Sequence, residues 1–152
     1  MEKVLVTGAT GYIALHCVQQ LLDQGYAVNG SIRSPERKNE VIEALKNSGT
    51  STENLNLYVF DLTNDEGWDD GMEGCDYLLH VASPLALENH TEDYFVKPAV
   101  AGAKRALKFA KKHGVKKVVL TSSVAAIFET GEEKVFYDES DWSDPDNPNI
   151  SN

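Results

Sequence analysis

Cysteine is scarce in this chain of 152 residues, and the two that occur, Cys17 and Cys75, stand outside any CxxC or metal-ligand spacing. That excludes a disulfide scaffold and a thiolate zinc site, and the pair reads as two reduced thiols. The four histidines are scattered, so no metal site is expected. No apolar run approaches the roughly 18 residues of a membrane-spanning helix. Met1-Glu2-Lys3 leads straight into a strand pattern rather than into the apolar core of a signal peptide. The expected location is the cytoplasm. Positive charge is also short: 14 Lys and Arg face 24 Asp and Glu, for a net charge of −10. Such a surface repels nucleic acid and anionic lipid at long range, which makes both poor partners. An anionic small molecule still binds where backbone dipoles and one or two local cations outweigh the distant charge. What remains, 41% apolar and 25% charged side chains, suits one globular domain with a sizeable core.

Strand-like and helix-like segments alternate, the pattern of a parallel sheet covered by helices. Residues 3–7 (KVLVT) form a β-branched run fit for a strand buried on both faces. Residues 12–24 follow as a helix, with Ile13, Cys17, Val18, Leu21 and Leu22 at helical spacing and Gly25 as its stop. Strand two is expected over 26–32, and a helix from Pro35 to about Ser48 with Val41, Ile42 and Leu45 on one face. After a polar loop at 47–54, strand three spans 55–60 and a short acidic helix or turn covers 65–72. Strand four is expected at 76–81 and strand five at 115–121. Between them a long helix at 92–113 carries Val96, Val100, Ala103, Leu107 and Ala110 in a stripe. Beyond Glu129 the chain turns acidic, with no clear period. These elements predict an α/β doubly wound parallel sheet of the Rossmann type, ordered 3-2-1-4-5, with ligands at the C-terminal strand ends.

Thr7-Gly8-Ala9-Thr10-Gly11-Tyr12-Ile13-Ala14 sits between strand one and the first helix. Gly8 permits a tight turn, Gly11 lets backbone approach a pyrophosphate, and Ala14 takes the small position where helix meets strand. The helix N-terminus then offers free N–H groups and a positive dipole end. No Gly-Lys-Ser/Thr follows, so the loop is not that of a P-loop NTPase. At the end of strand two, where NAD-binding units carry an acid for the ribose hydroxyls, this chain has Ile32-Arg33-Ser34-Pro35-Glu36-Arg37-Lys38. A guanidinium there pairs with a 2′-phosphate. NADP(H) is therefore favoured, with NAD(H) left open; the same cluster also suits an ordinary solvated helix start.

Asp61-Leu62 after strand three has two readings. The carboxylate accepts from an adenine amino group while the leucine covers the ring, or the aspartate merely caps its strand. His80 reads as a packed strand histidine rather than a proton carrier. Strand five ends Thr121-Ser122-Ser123, where a serine hydroxyl is placed to polarise a substrate carbonyl beside a nicotinamide; serines at strand ends are also common caps.

TGATGYIA, DLT, HVASP and VVLTSS occur in the order and at the spacing of the extended short-chain dehydrogenase/reductases, the NAD(P)-dependent epimerase/dehydratase superfamily, and together they span essentially the whole chain. The Arg33 cluster, HVASP and FYDESDWSD resemble the dihydroflavonol reductase and cinnamoyl-CoA reductase branch. The alanine in GYIALH resembles that branch's aldehyde or methylglyoxal reductases. The resemblance implies that Gly8, Thr10, Gly11, Tyr12 and Ile13 hold the pyrophosphate and that Arg33 and Arg37 hold the 2′-phosphate. It implies that Asp61 and Leu62 frame adenine, that Val81, Ala82 and Ser83 lie by the ribose, and that Thr121 and Ser122 lie near the nicotinamide. Ser123 resembles the catalytic serine.

One departure stands out. The family's Tyr-x-x-x-Lys pair, general acid and its activator, is missing: Tyr12, Tyr26, Tyr58, Tyr77, Tyr94 and Tyr137 all lack a lysine four residues on. The expectation is a cofactor-binding domain over 1–152, cut before the later strands and inactive alone, from a reductase transferring hydride to a ketone or aldehyde. Residues 83–87 with Val124, Ile127 and Phe128 would give an apolar wall, compatible with a flavonoid, an aryl aldehyde or a small ketone. A homodimer through helix 92–113 is expected, and strand five should present an open apolar edge. Two alternatives are an NAD-dependent nucleotide-sugar epimerase or dehydratase and a non-catalytic NADP(H)-sensing regulator.

Overall fold

The structure, a computed structural model, describes residues 1–84, 92–128 and 134–144. The chain divides into two compact units, Met1–Leu120 and Thr121–Asn152. In chain order the first unit holds β1 (Lys3–Val6), α1 (Tyr12–Asp23), β2 (Ala27–Ile32), α2 (Lys38–Asn47), β3 (Leu55–Val59), α3 (Trp68–Met72), β4 (Tyr77–His80), α4 (Glu92–Lys112) and β5 (Lys117–Leu120). The second holds α5 (Ala125–Phe128).

The five strands pair in the order β3-β2-β1-β4-β5, each neighbouring pair parallel, as the alternating pattern predicts. Parallel strands with helices on both faces need apolar side chains above and below, and β1 shows how one short run supplies them. Its pleat sends Val4 and Val6 to one face, where they join Ala14, Val18, Val28, Val41 and Leu45 beneath α1 and α2. Leu5 points the other way and joins Phe60, Trp68, Met72, Leu78 and Phe109 beneath α3 and α4. Each fully buried aliphatic side chain here contributes about 1.5–3 kcal/mol of transfer free energy.

Trp68 centres the second core. It is fully buried, its ring lies 4.6 Å from Phe60 and stacks on Phe109 at 5.7 Å, and its Nε1 donates to the Asp61 carbonyl at 2.9 Å. A polar tie joins the same face: Asn29 Nδ2 on β2 donates to the Gly71 carbonyl of α3 at 2.8 Å. Burial pushes the neighbouring Cys75 thiol up to about 11, so it stays protonated.

One boundary and one helix face differ from expectation. The segment 35–48 is not one helix: Pro35–Arg37 forms a 3-10 turn, closed by Arg37 N–H to the Ser34 carbonyl at 3.2 Å, and α2 begins after it. The acidic segment at 65–72 is, as expected, a turn and a short helix, the helix running over Trp68–Met72. The stripe read along α4 is split. Ala110 is buried, but Val96, Val100 and Leu107 are nearly half exposed, and Ala106 and Phe109 dock instead. Two contacts decide the docked face. Phe109 reaches Trp68, and Gly102 lets α4 approach Leu62 so closely that an added Cβ would sit 3.1 Å from the leucine's own.

At the sheet's edge among the described residues, β5 leaves Val119 and Leu120 half exposed, matching the expected apolar edge. No helix among the described residues is long and apolar enough to cross a membrane.

Candidate functional site

The loop from β1 to α1 is built by its neighbours. Gly8 has φ of +74°, and an added Cβ would lie 3.0 Å from the Ala82 Cβ, so both its conformation and its space require glycine. Its N–H donates to Ser31 Oγ at 2.8 Å. The next two loop bonds run from Ala9 N–H to the Ser31 carbonyl and from Gly11 N–H to the Gly8 carbonyl, both 2.8 Å. The first intrahelical bond of α1 is Leu15 N–H to Gly11 carbonyl. The amides of Tyr12, Ile13 and Ala14 therefore have no acceptor within the helix, and Gly11 brings no side chain to cap them. A Cβ at Gly11 would fill the cradle, 3.2 Å from the Gly8 oxygen. A helix start left this way favours an anion.

Thr7 fixes the opposite rim. Its hydroxyl accepts from the amides of Val81 and Ala82, both at 3.0 Å, and lies 3.0 Å from His80 Nδ1. With both lone pairs engaged, the hydroxyl donates its hydrogen to Nδ1, so the neutral His80 ring carries its proton on Nε2. Burial lowers the His80 pKa and favours that neutral form.

Beyond β2, Arg33 is exposed, with Nε 3.7 Å from Asp61 Oδ2. Arg37 sits on the 3-10 turn and grips Glu40, its Nη2 donating at 2.8 Å. This contact raises the arginine and lowers the glutamate. An exposed pair of this kind is screened by water and salt and yields readily to a better anion. On the β3 rim, Asp61 Oδ1 accepts from the Thr63 amide at 2.8 Å and its hydroxyl at 2.6 Å. Burial pushes the Asp61 carboxyl up, but Thr63, Arg33 and Arg105 together outweigh it and hold the group below its ordinary value. Asp61 thus caps its strand with one oxygen while the other faces Arg33.

These rims enclose a cleft of about 610 Å³, within the usual size of a small-molecule site. Gly8, Thr10, Gly11, Tyr12, Ile13, Arg33, Arg37, Asp61, Leu62, Val81, Ala82 and Ser83 all line it, so every candidate from the first unit faces one space. Ser31, Ile32 and Phe60 also line it and carried no role in the sequence reading, nor did Thr7. Ser31 and Thr7 left a signal: each is a hydroxyl inside or just past a largely buried strand. Residues 85–87 of the expected substrate wall lie outside the described residues.

Thr121, Ser122 and Ser123 follow β5 in sequence and open the second unit. There Ser123 starts α5: its carbonyl accepts from Ala126 N–H at 3.0 Å and its Oγ from Ala125 N–H at 3.2 Å. The hydroxyl hydrogen remains to be donated. Ser143 braces this turn, its amide donating to the Ala126 carbonyl at 2.9 Å, and Phe128 packs on Tyr137 with ring centroids 5.4 Å apart. Val124 and Phe128 are exposed. No group of metal-ligating side chains occurs among the described residues.

A parallel 3-2-1-4-5 sheet with a glycine turn and an uncapped helix start at its first crossover defines the Rossmann class. The chain belongs to the NAD dependent epimerase/dehydratase family, whose model matches residues 4–150. It is 37% identical over 145 residues to dihydroflavonol 4-reductase of Solanum lycopersicum, covering 94% of this chain and 38% of that one. It is 39% identical over 148 residues to cinnamoyl-CoA reductase 2 of Arabidopsis thaliana, covering 95% and 43% respectively. Among solved structures, yeast methylglyoxal/isovaleraldehyde reductase Gre2 complexed with NADPH superposes with a TM-score of 0.81 at 32% identity, over 97% of this chain and 45% of that one. The resemblance read from the motifs holds, and the chain spans less than half the length of each of these relatives.

Proposed function

We propose that this chain is the NADP(H)-binding domain, over residues 1–152, of a reductase that transfers hydride to a ketone or aldehyde. The observation that carries the reading is the pair Arg33 and Arg37 on the β2 rim of a cleft whose floor is a glycine turn and an uncapped helix start. A guanidinium where NAD-binding units keep an acid suits a 2′-phosphate, and the Gre2 relative is complexed with NADPH. Gly8, Thr10, Gly11, Tyr12 and Ile13 would hold the pyrophosphate. Asp61 and Leu62 would frame adenine, with Val81, Ala82 and Ser83 at the ribose. Bound there, the reduced nicotinamide supplies hydride. Ser123 would donate its hydroxyl hydrogen to the substrate carbonyl oxygen, with Thr121 and Ser122 beside the nicotinamide. None of the six tyrosines has a lysine four residues on, so the 152-residue chain should bind cofactor without turning substrate over. The exposed α4 stripe of Val96, Val100 and Leu107 would join two copies.

Phosphorus NMR of NADP⁺ mixed with the chain tests this reading. Both the pyrophosphate and the 2′-phosphate resonances should shift on binding. In Arg33→Ala the 2′-phosphate shift should shrink while the pyrophosphate shift persists. A 2′-phosphate resonance that the native chain leaves unmoved would contradict the assignment.

A further inference from the structure

The wall at the adenine end of the cleft is held from behind by a residue that does not line it. Asp61 and Leu62 follow β3 at the margin of the second core, where the Leu62 side chain is buried and the two backbone carbonyls are tied from outside the cleft. The Asp61 carbonyl is fixed by Trp68 Nε1 at 2.9 Å. The Leu62 carbonyl accepts from Arg105 Nη1, reaching across from α4. The same guanidinium meets Asp65 Oδ1 through Nε at 2.5 Å, and its side chain is only 18% exposed. Gly102, one turn earlier on α4, brings the helix close enough that an added Cβ would lie 3.1 Å from Leu62 Cβ.

We propose that Arg105 is a positioning residue for the adenosine end of the cofactor cleft, fixing the Leu62 carbonyl and so the places of the Leu62 side chain and the Asp61 carboxylate. The inference rests on the NADP(H) reading of the cleft. A scaffold ion pair would need only Asp65, which lies on the surface. Arg105 spends a second donor on the backbone of a cleft-lining residue and gives up most of its solvent to do so. Its planar fork serves both partners from one rigid plane, which a lysine ammonium cannot reproduce. Its charge also reaches Asp61, adding to the pull of Arg33 that keeps the carboxylate ionised.

The test compares the native chain, Arg105→Met and Arg105→Lys by titration with adenosine 2′,5′-bisphosphate and with inorganic pyrophosphate, alongside thermal melting. Losing a charge-assisted hydrogen bond to the turn should weaken the bisphosphate about tenfold in Arg105→Met. Pyrophosphate, which needs only the glycine loop, should bind both variants like the native chain. Arg105→Lys keeps the charge and the reach to Asp65 but not both contacts, and should fall between. If Arg105→Met does not fold, the lysine variant decides. Native affinity for the bisphosphate in a folded variant, or equal weakening of both ligands, overturns the positioning role. A native chain that binds neither the bisphosphate nor NADPH overturns the cleft assignment itself, and the role of Arg105 with it.

Discussion

At the scale of single residues, Thr7 joins chemistry that the motif alone does not disclose. Its hydroxyl receives two amides of the β4 rim and donates to His80. Thr7→Val keeps the shape but strands two part-buried N–H groups and a buried ring nitrogen, at a cost of about 1–3 kcal/mol for the buried nitrogen and less for each amide. Thr7→Ser keeps the hydroxyl and should restore most of the stability. The His80 side of the contact is pH-dependent. Its folded pKa lies below the ordinary 6.5, so the unfolded chain takes up the proton first as pH falls. The stabilisation should be complete above about pH 6.5 and decline as the pH drops toward the lowered folded value. Denaturant unfolding across this window checks both statements. A Thr7→Val protein as stable as Thr7→Ser would show that the hydroxyl anchors nothing.

At the scale of elements, what the sequence discloses depends on how far apart the partners stand. The sheet order follows from the alternation of short β-branched runs with amphipathic helices, because each strand reports its own burial. The loop from Gly8 to Ala14 is likewise local, and Arg33 and Asp61 are legible because they close their own strands. Ser31 meets Gly8 across 23 residues, Thr7 meets His80 across 73, and Arg105 meets Leu62 across 43. No local period announces such pairs. The α4 stripe misled for a related reason. Spacing marks an apolar face but not which of two faces docks, and Gly102 with Phe109 chose the other. That leaves Val96, Val100 and Leu107 exposed, the face proposed above to join two copies. Sedimentation of the native chain should show concentration-dependent dimers that Val100→Glu with Leu107→Glu abolishes, since the like charges brought together across that face repel. A native chain that stays monomeric at high concentration would remove the α4 interface.

For the whole molecule, a net charge of −10 sets a surface that repels anions, against which the cleft must offer concentrated local attraction. It does so with α1 amides, whose dipole faces the loop, and with two arginines held by weak, displaceable carboxylates. The acid that would select NAD(H) is missing from the β2 rim. Affinity should therefore reside in the 2′-phosphate to a degree that a neutral ribose cannot match. Calorimetric titration of the 152-residue chain with NADPH and with NADH, beside Arg33→Ala, addresses this directly. NADPH should bind the native chain at least about tenfold more tightly than NADH, the equivalent of one charge-assisted pairing; Arg33→Ala should remove most of that advantage, and Arg33→Ala with Arg37→Ala all of it, while NADH binding stays unchanged. Equal binding of the two cofactors by the native chain, or an advantage for NADPH that is undiminished in Arg33→Ala and survives the loss of both arginines, would contradict the account.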